Sequence, residues 1–185
     1  LLLVVSGQSV EVDIDSGLIG NIAEQSPSSG TEAEVGSEVV VRIGIARQVS
    51  VPNLVGSTPQ EAQDAAAAVG LNVDLVGTTE TDDQGLDGLV ATQSPASGTV
   101  VDEGSFVDVT TYLYRPEVPD FRGETLADAQ TLASSIGLGS INQVGTVQTG
   151  DQTLVGLIES QDPAPGAVVD QGTDIDVVVY VLANP

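Results

Sequence analysis

The stretch Gln93-Ser94-Pro95-Ala96-Ser97-Gly98 decides the reading of this chain, because it is present in three versions. The others are Gln25-Ser26-Pro27-Ser28-Ser29-Gly30 before it and Gln161-Asp162-Pro163-Ala164-Pro165-Gly166 after it, so the starts at 25, 93 and 161 are evenly spaced at an offset of 68. The same offset joins Leu18, Leu86 and Leu154, then Gly20, Gly88 and Gly156, then Gly36, Gly104 and Gly172, then Val41, Val109 and Val177. Repetition at a fixed period marks a row of small units, each too small to be read alone. The front halves of the second and third copies align at an offset of 67: Val51-Pro52-Asn53 with Val118-Pro119-Asp120, Gly56 with Gly123, Ala62 with Ala129, and Gly70-Leu71 with Gly137-Leu138. The third copy therefore carries one extra residue between Leu138 and Leu154, where a surface loop is the expected place for it. The first copy has no such front half, and the chain starts about where its helix should end. The expected division is 1–47, a truncated copy, then 48–115 and 116–185.

Each full copy is punctuated in the same way. Thr58-Pro59-Gln60-Glu61 supplies an N-cap, a proline at the first helical position and a glutamate that completes a capping box. Ala62, Ala65, Ala66 and Val69 then fall on one helical face, and Gly70 is placed to end the helix in a left-handed conformation. In the third copy Thr125 and Asp128 cap the helix, Ala129, Leu132, Ala133 and Ile136 form the stripe, and Gly137 ends it. Strands are expected at Gly88–Gln93 and Ser105–Tyr114, and again at Gly156–Gln161 and Thr173–Leu182, with Pro95–Gly104 turning between the first pair. The opening Leu1–Val5 also reads as a strand, too short for the roughly 20 apolar residues that cross a bilayer. The expected fold class is α+β: tandem small domains, each one helix packed on a three-stranded antiparallel sheet. The link Arg115-Pro116-Glu117 is short and contains proline, which predicts an extended arrangement.

Composition narrows the function. The 185 residues include 27 Asp and Glu against four Arg and no Lys, a net charge of −23. Nucleic-acid binding is excluded as an expectation, because counterion release needs clustered cations. No membrane insertion is expected within this chain. The acidity fits solubility and self-repulsion, with bridging by divalent ions as the alternative. There is no Cys and no His, so neither a thiol nucleophile nor a Ser-His triad can form. With aromatics at 3%, no sugar cleft is indicated for a pair of catalytic carboxylates. The chain is thus expected to be no enzyme and to need no cofactor. The candidates for an oxygen-only metal site are Asp13-Ile14-Asp15-Ser16-Gly17 and Glu80-Thr81-Asp82-Asp83, but neither completes a calcium-loop pattern, and no metal is expected.

The repeated Val-Pro-Asn-Leu-x-Gly, the Ala-rich helix, Gly-Leu, Gln-Ser-Pro-x-x-Gly and the final Val-alternating strand together resemble the PASTA domain, named for penicillin-binding proteins and serine/threonine kinases. The resemblance covers Val51–Leu113 and Val118–Leu182, and Leu3–Ile45 as a truncated copy. It implies a helix on three antiparallel strands and an extracytoplasmic position at the bacterial cell surface or cell wall. It also implies recognition of peptidoglycan or muropeptides, regulating a kinase or transpeptidase that lies outside this chain. The ectodomain of a serine/threonine kinase is the first reading. A structural spacer, a self-association (dimerisation) module or the accessory tail of a penicillin-binding protein is the alternative.

Within that reading the arginines carry the site. Arg47, Arg115 and Arg122 lie near the junctions between copies, and Arg42 lies on a final strand. A stem-peptide carboxylate can meet a bidentate guanidinium at such a junction. Tyr112, Tyr114 and Phe121 flank Arg115 and Arg122 in sequence, so these five residues form the expected ligand patch. The competing expectation is that Arg115 and Arg122 pair with Glu117, Asp120 or Glu124. Gln25, Gln93 and Gln161 are open to two readings: contact with a ligand amide, or a hydrogen bond to the local backbone.

Overall fold

The structure, a computed structural model, describes residues 2–183, with backbone alone for residues 2–8; Leu1, part of the expected opening strand, lies outside the described residues. The first copy holds β1 (Leu2–Val12), β2 (Ile22–Ser26) and β3 (Glu38–Ala46), ordered β1-β3-β2 in one sheet. The second holds β4 (Gln48–Ser50), α1 (Pro59–Ala67), β5 (Asn72–Thr81), β6 (Val90–Ser94), β7 (Val100–Asp102) and β8 (Phe106–Tyr114). Its main sheet is ordered β5-β8-β6, and β4 pairs with β7. The third holds α2 (Leu126–Ser135), β9 (Ile141–Thr149), β10 (Ile158–Asp162) and β11 (Ile175–Leu182), with the sheet ordered β10-β11-β9.

The α+β class and the tandem arrangement of small repeats hold, but the antiparallel expectation is corrected. β2 and β3 run antiparallel, as do β6 and β8, and β10 and β11; β1 and β3, however, run parallel, and so do β9 and β11. The reason is topological. The chain reverses after the first strand of a sheet and again after the second, so the third runs in the direction of the first. That third strand then inserts between the other two, which makes it antiparallel to one and parallel to the other. Apolar alternation reports which residues face the core, not which neighbour a strand takes. The Pro95–Gly104 segment is also more than a turn, since β7 lies within it and pairs with β4 through Gln48–Asp102, Val49–Val101 and Ser50–Val100.

The helices start as their caps dictate. The Thr58 side chain accepts from the Glu61 N–H at 3.3 Å, and the Glu61 carboxylate accepts from the Thr58 N–H at 2.9 Å. The Thr58 N–H first, and second the Thr58 hydroxyl, which donates to the same carboxylate at 2.9 Å, hold the Glu61 carboxyl below its usual range. In α2 the Thr125 side chain accepts from the Asp128 N–H at 3.2 Å. Gly70 and Gly137 close the two helices at φ +76°, a conformation that costs an L-residue with a Cβ about 1–2 kcal/mol. Ala62 and Ala66 of α1 are fully buried, as are Ala129 and Ala133 of α2; small side chains on this face let the helix lie close to its sheet. One member of the expected stripe is misplaced: Leu132 is 42% exposed. It shares helical spacing with its neighbours, but Ala129 and Ala133 already fill the narrow line of contact.

The extra residue of the third copy sits in a strand rather than a loop. The Gly139 N–H donates to Thr173 O at 2.8 Å just as the Asn72 N–H donates to Ser105 O at 3.0 Å. The Asp151 N–H donates to Thr149 Oγ1 at 3.1 Å just as the Asp83 N–H donates to Thr81 Oγ1 at 3.1 Å. The insertion therefore falls between Gly139 and Thr149, across β9. There Gln143 pairs with Val177 and Gly145 with Val178, which leaves Val144 as a bulge, the ordinary way for a strand to absorb one residue.

Two compact units result. Among the described residues, one comprises those up to Gly77 with Leu89–Thr111, the other Thr78–Gly88 with those from Tyr112 onward. Each has its own aliphatic core. The first unit buries Val51, Leu54, Ala62, Ala66, Leu71, Val90, Val107 and Val109. The second buries Val118, Phe121, Ala129, Ala133, Leu138, Ile158, Ile175, Val177 and Val179. The two sets match position by position at the repeat offset, apart from Val179. Among the described residues each unit thus carries a small aliphatic core of its own.

Candidate functional site

The second junction begins where β8 ends. Tyr114 is 6% exposed, and its phenol donates to Ile136 O at 2.9 Å at the C-terminal end of α2. Its ring lies against Gly137, where an added Cβ would come 3.4 Å from Cε1. The Tyr114 N–H donates to Asp87 Oδ1 at 2.9 Å, and the Arg115 N–H donates to Thr81 O at 2.9 Å. Tyr114 therefore serves as a plug that fixes the strand end against the helix terminus. Tyr112 is half-buried, and its carbonyl accepts from the Gly88 N–H at 3.0 Å.

Arg115 faces acids on two sides. Its Nη1 donates to Glu80 Oε1 at 2.7 Å, and its Nη2 lies 3.2 Å from Asp170 Oδ1. The Glu80 hydrogen bond, reinforced by the charges of Glu80 and then Asp170, holds the guanidinium above its ordinary range. Its Nε is buried without a hydrogen-bond partner. Around it Glu80, Thr81, Asp82, Arg115, Glu117 and Val168 line a hollow of about 260 Å³. Its charged lining is three acids against one arginine, so this hollow suits a group carrying both charges better than a bare carboxylate.

Arg122 and Phe121 take different places. The Arg122 side chain grips Asp120, Nε to Oδ1 at 2.8 Å and Nη2 to Oδ2 at 2.7 Å, and its N–H donates to the same Oδ1 at 3.1 Å. That clasp, its side-chain hydrogen bonds first, lowers the Asp120 carboxyl to about 2. The folded value lies below the usual carboxylate range, so the clasp is complete at neutral pH and dissolves only as pH falls toward 2. A carbon-detected titration of Asp120 should show its midpoint near 2, and Arg122→Gln, which removes the guanidinium but keeps the backbone N–H bond, should raise it only part of the way back toward the ordinary carboxylate range. Phe121 is fully buried in the core of the third copy, with its ring closed to solvent. Of the five residues expected to form a patch, Tyr114 and Phe121 are thus interior, Tyr112 is half-buried, and Arg115 and Arg122 are at the surface, each already paired with acid.

The repeated glutamines bond the backbone. Gln161 Oε1 accepts from the Phe121 N–H at 2.7 Å, while its Nε2 donates to Pro119 O at 2.9 Å and Pro163 O at 3.2 Å. Gln93 does the same with the Leu54 N–H at 2.8 Å, Pro52 O at 3.0 Å and Pro95 O at 3.2 Å. Gln25 donates to Pro27 O at 3.0 Å. The proline of each motif follows a cis peptide bond. Gln93 and Gln161 thus staple the Val-Pro segment that opens a copy to the Pro turn that follows its second sheet strand. Alignment of the copies marks these glutamines but does not choose between ligand and backbone. Among the described residues no group of three or more acids is placed to hold a metal ion, and no helix is long and apolar enough to cross a membrane.

This staple, the capped Ala-rich helix and the centrally inserted third strand recur as one unit. The PASTA domain family model matches residues 49–112 and 116–181. The chain belongs to the PASTA domain family. PASTA domains are non-catalytic modules. Among curated proteins the chain is 32% identical over 154 residues to a "probable serine/threonine-protein kinase" of Streptomyces coelicolor, a match covering 82% of this chain and 22% of that one. It is 30% identical over 132 residues to a kinase of the same description, PknB, of Corynebacterium glutamicum, covering 70% of this chain and 20% of that one. The PASTA chain thus spans about a fifth of the length of these relatives. Among solved structures it matches the three-PASTA-domain of a Ser/Thr kinase from Staphylococcus aureus at 23% identity, with a TM-score of 0.43, over 96% of this chain and 88% of that one.

Proposed function

We propose that this chain is an extracytoplasmic PASTA module from the ectodomain of a bacterial serine/threonine kinase, made of copies at 1–47, 48–115 and 116–185, and that it recognises peptidoglycan fragments. The observation that carries the reading is the run of PASTA repeats, matched at 30% and 32% identity to proteins described as serine/threonine kinases. Any kinase domain then lies outside this chain, which supplies the sensing end.

The ligand is proposed to meet the second junction. Tyr112, Arg115 and Arg122 offer the surface there, and Tyr114 and Phe121 hold the backbone that presents it. A peptidoglycan stem peptide carries amines as well as carboxylates. It can therefore face Arg115 and the neighbouring Glu80, Asp82 and Glu117 together, where a purely anionic ligand would be repelled by a chain of net charge −23. A specific observation favours the competing reading of a spacer or self-association module: each of the four arginines is already within ion-pair distance of an acid.

Co-sedimentation with purified insoluble peptidoglycan separates the two. Recognition predicts that the chain pellets with the polymer and that Arg115→Ala and Arg122→Ala each weaken retention about three- to tenfold, the size of a lost charged contact at a rim. A chain that stays in the supernatant at all loadings is a spacer.

A further inference from the structure

Four arginines are the only basic side chains in a chain with 27 acids, and two of them hold the same place in the repeat. Arg47 and Arg115 are separated by the repeat offset itself, each directly after the last strand of one copy and before the Val-Pro that opens the next. Arg47 Nη2 lies 3.0 Å from Asp13 Oδ1 and 2.9 Å from Glu103 Oε1, and its Nε donates to Glu103 Oε2 at 3.2 Å. Arg115 lies 2.7 Å from Glu80 and 3.2 Å from Asp170.

The acids have matching origins. Asp13 directly follows β1 and Glu80 lies at the end of β5, so both sit where the first sheet strand of the copy before the arginine ends. Glu103 and Asp170 come from the copy after it, one and two residues beyond those that pair with the junction: Asp102 with Gln48 in one case, Val168 with Glu117 in the other. The backbone follows the same plan. The Arg47 N–H donates back to Val12 O at 3.3 Å, and Arg47 O accepts from the Glu103 N–H at 2.8 Å. The Arg115 N–H donates back to Thr81 O at 2.9 Å, and Pro116 O accepts from the Val169 N–H at 3.1 Å.

We propose that Arg47 and Arg115 are charge latches that close the two junctions between copies, each by neutralising one carboxylate from the copy before and one from the copy after. The Asp13 and Glu103 oxygens touch the same Nη2 atom, so they lie within about 6 Å of each other, where two carboxylates repel unless a cation sits between them. An exposed ion pair alone contributes little. Removing the shared cation does more, because two attractions are replaced by one repulsion on a chain that already carries −23. The response to salt must then change sign. With arginine present, screening weakens a net attraction; without it, screening relieves a net repulsion.

Amide hydrogen exchange on the full chain tests this. Protection at Glu103 and Val169 is compared with core amides of the same unit, Leu71 and Leu138, at about 20 mM and about 500 mM NaCl, on either side of the range where a Debye length spans these contacts. Expected for the unaltered chain is a fall in relative protection with salt at both amides. Arg47→Gln should lower it at Glu103, and Arg115→Gln at Val169, by about three- to tenfold at low salt, more than one exposed pair contributes, because two attractions become a repulsion; added salt should then raise it. Neutralising the facing acids as well, in Arg115→Gln with Glu80→Gln and Asp170→Asn, should remove most of the salt response. Arg42→Gln, whose side chain pairs with Glu24 within the first copy at 3.0 Å, should leave both amides as they are. A variant response to salt of the same sign as in the unaltered chain would overturn the latch. So would unchanged protection in both variants, or a rise with salt in the unaltered chain itself, which needs no variant to fold.

Discussion

Phe121→Ala should destabilise the third copy by about 3–5 kcal/mol, the usual cost of deleting a fully buried aromatic ring. The ring is 0% exposed and belongs to the cluster that joins Val118, Ala129, Ala133, Leu138 and Ile158. Its removal leaves a cavity beneath α2 that a face of alanines cannot fill. Exchange of the Ala129 and Val177 amides, or the urea transition of this unit, reads the loss. A variant with unchanged stability and reduced ligand retention would return Phe121 to the role of a ligand contact and contradict its place in the core.

Gln161→Ala should cost about 2–3 kcal/mol, although the residue is neither apolar nor fully buried. One side chain satisfies the Phe121 N–H and contributes to Pro119 O and Pro163 O. Deleting it leaves a part-buried donor next to the Phe121 ring without a partner, which costs more than a hydrogen bond contributes on average. Gln93→Ala should behave alike in the second copy, through the Leu54 N–H. Thermal unfolding checks both. A loss below about 0.5 kcal/mol, the size of an ordinary surface change, would show that water replaces the staple without cost.

Much of this architecture was legible because a repeat displays its own constraints. The cap at Thr58, the proline at Pro59 and the closing Gly70 fix where α1 starts and stops through local backbone chemistry alone, and the structure follows them. Strand direction was not legible, since it depends on which neighbour β8 and β11 choose, and alternation is blind to that. Leu132 was misread because periodicity gives an angle around the helix but not the width of the line that packs.

The site was the least legible part, although one signal for it was available. Phe121 aligns with Leu54 at the offset of 67 that already relates Val118 to Val51. Extending that alignment by one position places the ring in the core, where Leu54 is also fully buried. Tyr114 offered no such signal, because the equivalent residue of the preceding copy is Ala46 and its partner is a helix-end carbonyl 22 residues away. The partners of Arg47 and Arg115 escaped for a related reason. Proximity in sequence favoured Glu117, Asp120 and Glu124, while Arg115 found Glu80 and Asp170 through the fold. Arg122 alone found an acid among its near neighbours, Asp120.

The central claim is that closed aliphatic units present a junction surface to fragments of the cell wall. A ¹H–¹⁵N titration of the labelled chain with defined muropeptides tests it most directly. The account predicts saturable shifts at Tyr112, Arg115, Arg122 and their neighbours, with the amides of Ala62, Ala66, Ala129 and Ala133 unmoved. Spectra unchanged at millimolar ligand, or shifts that avoid this junction altogether, would contradict it.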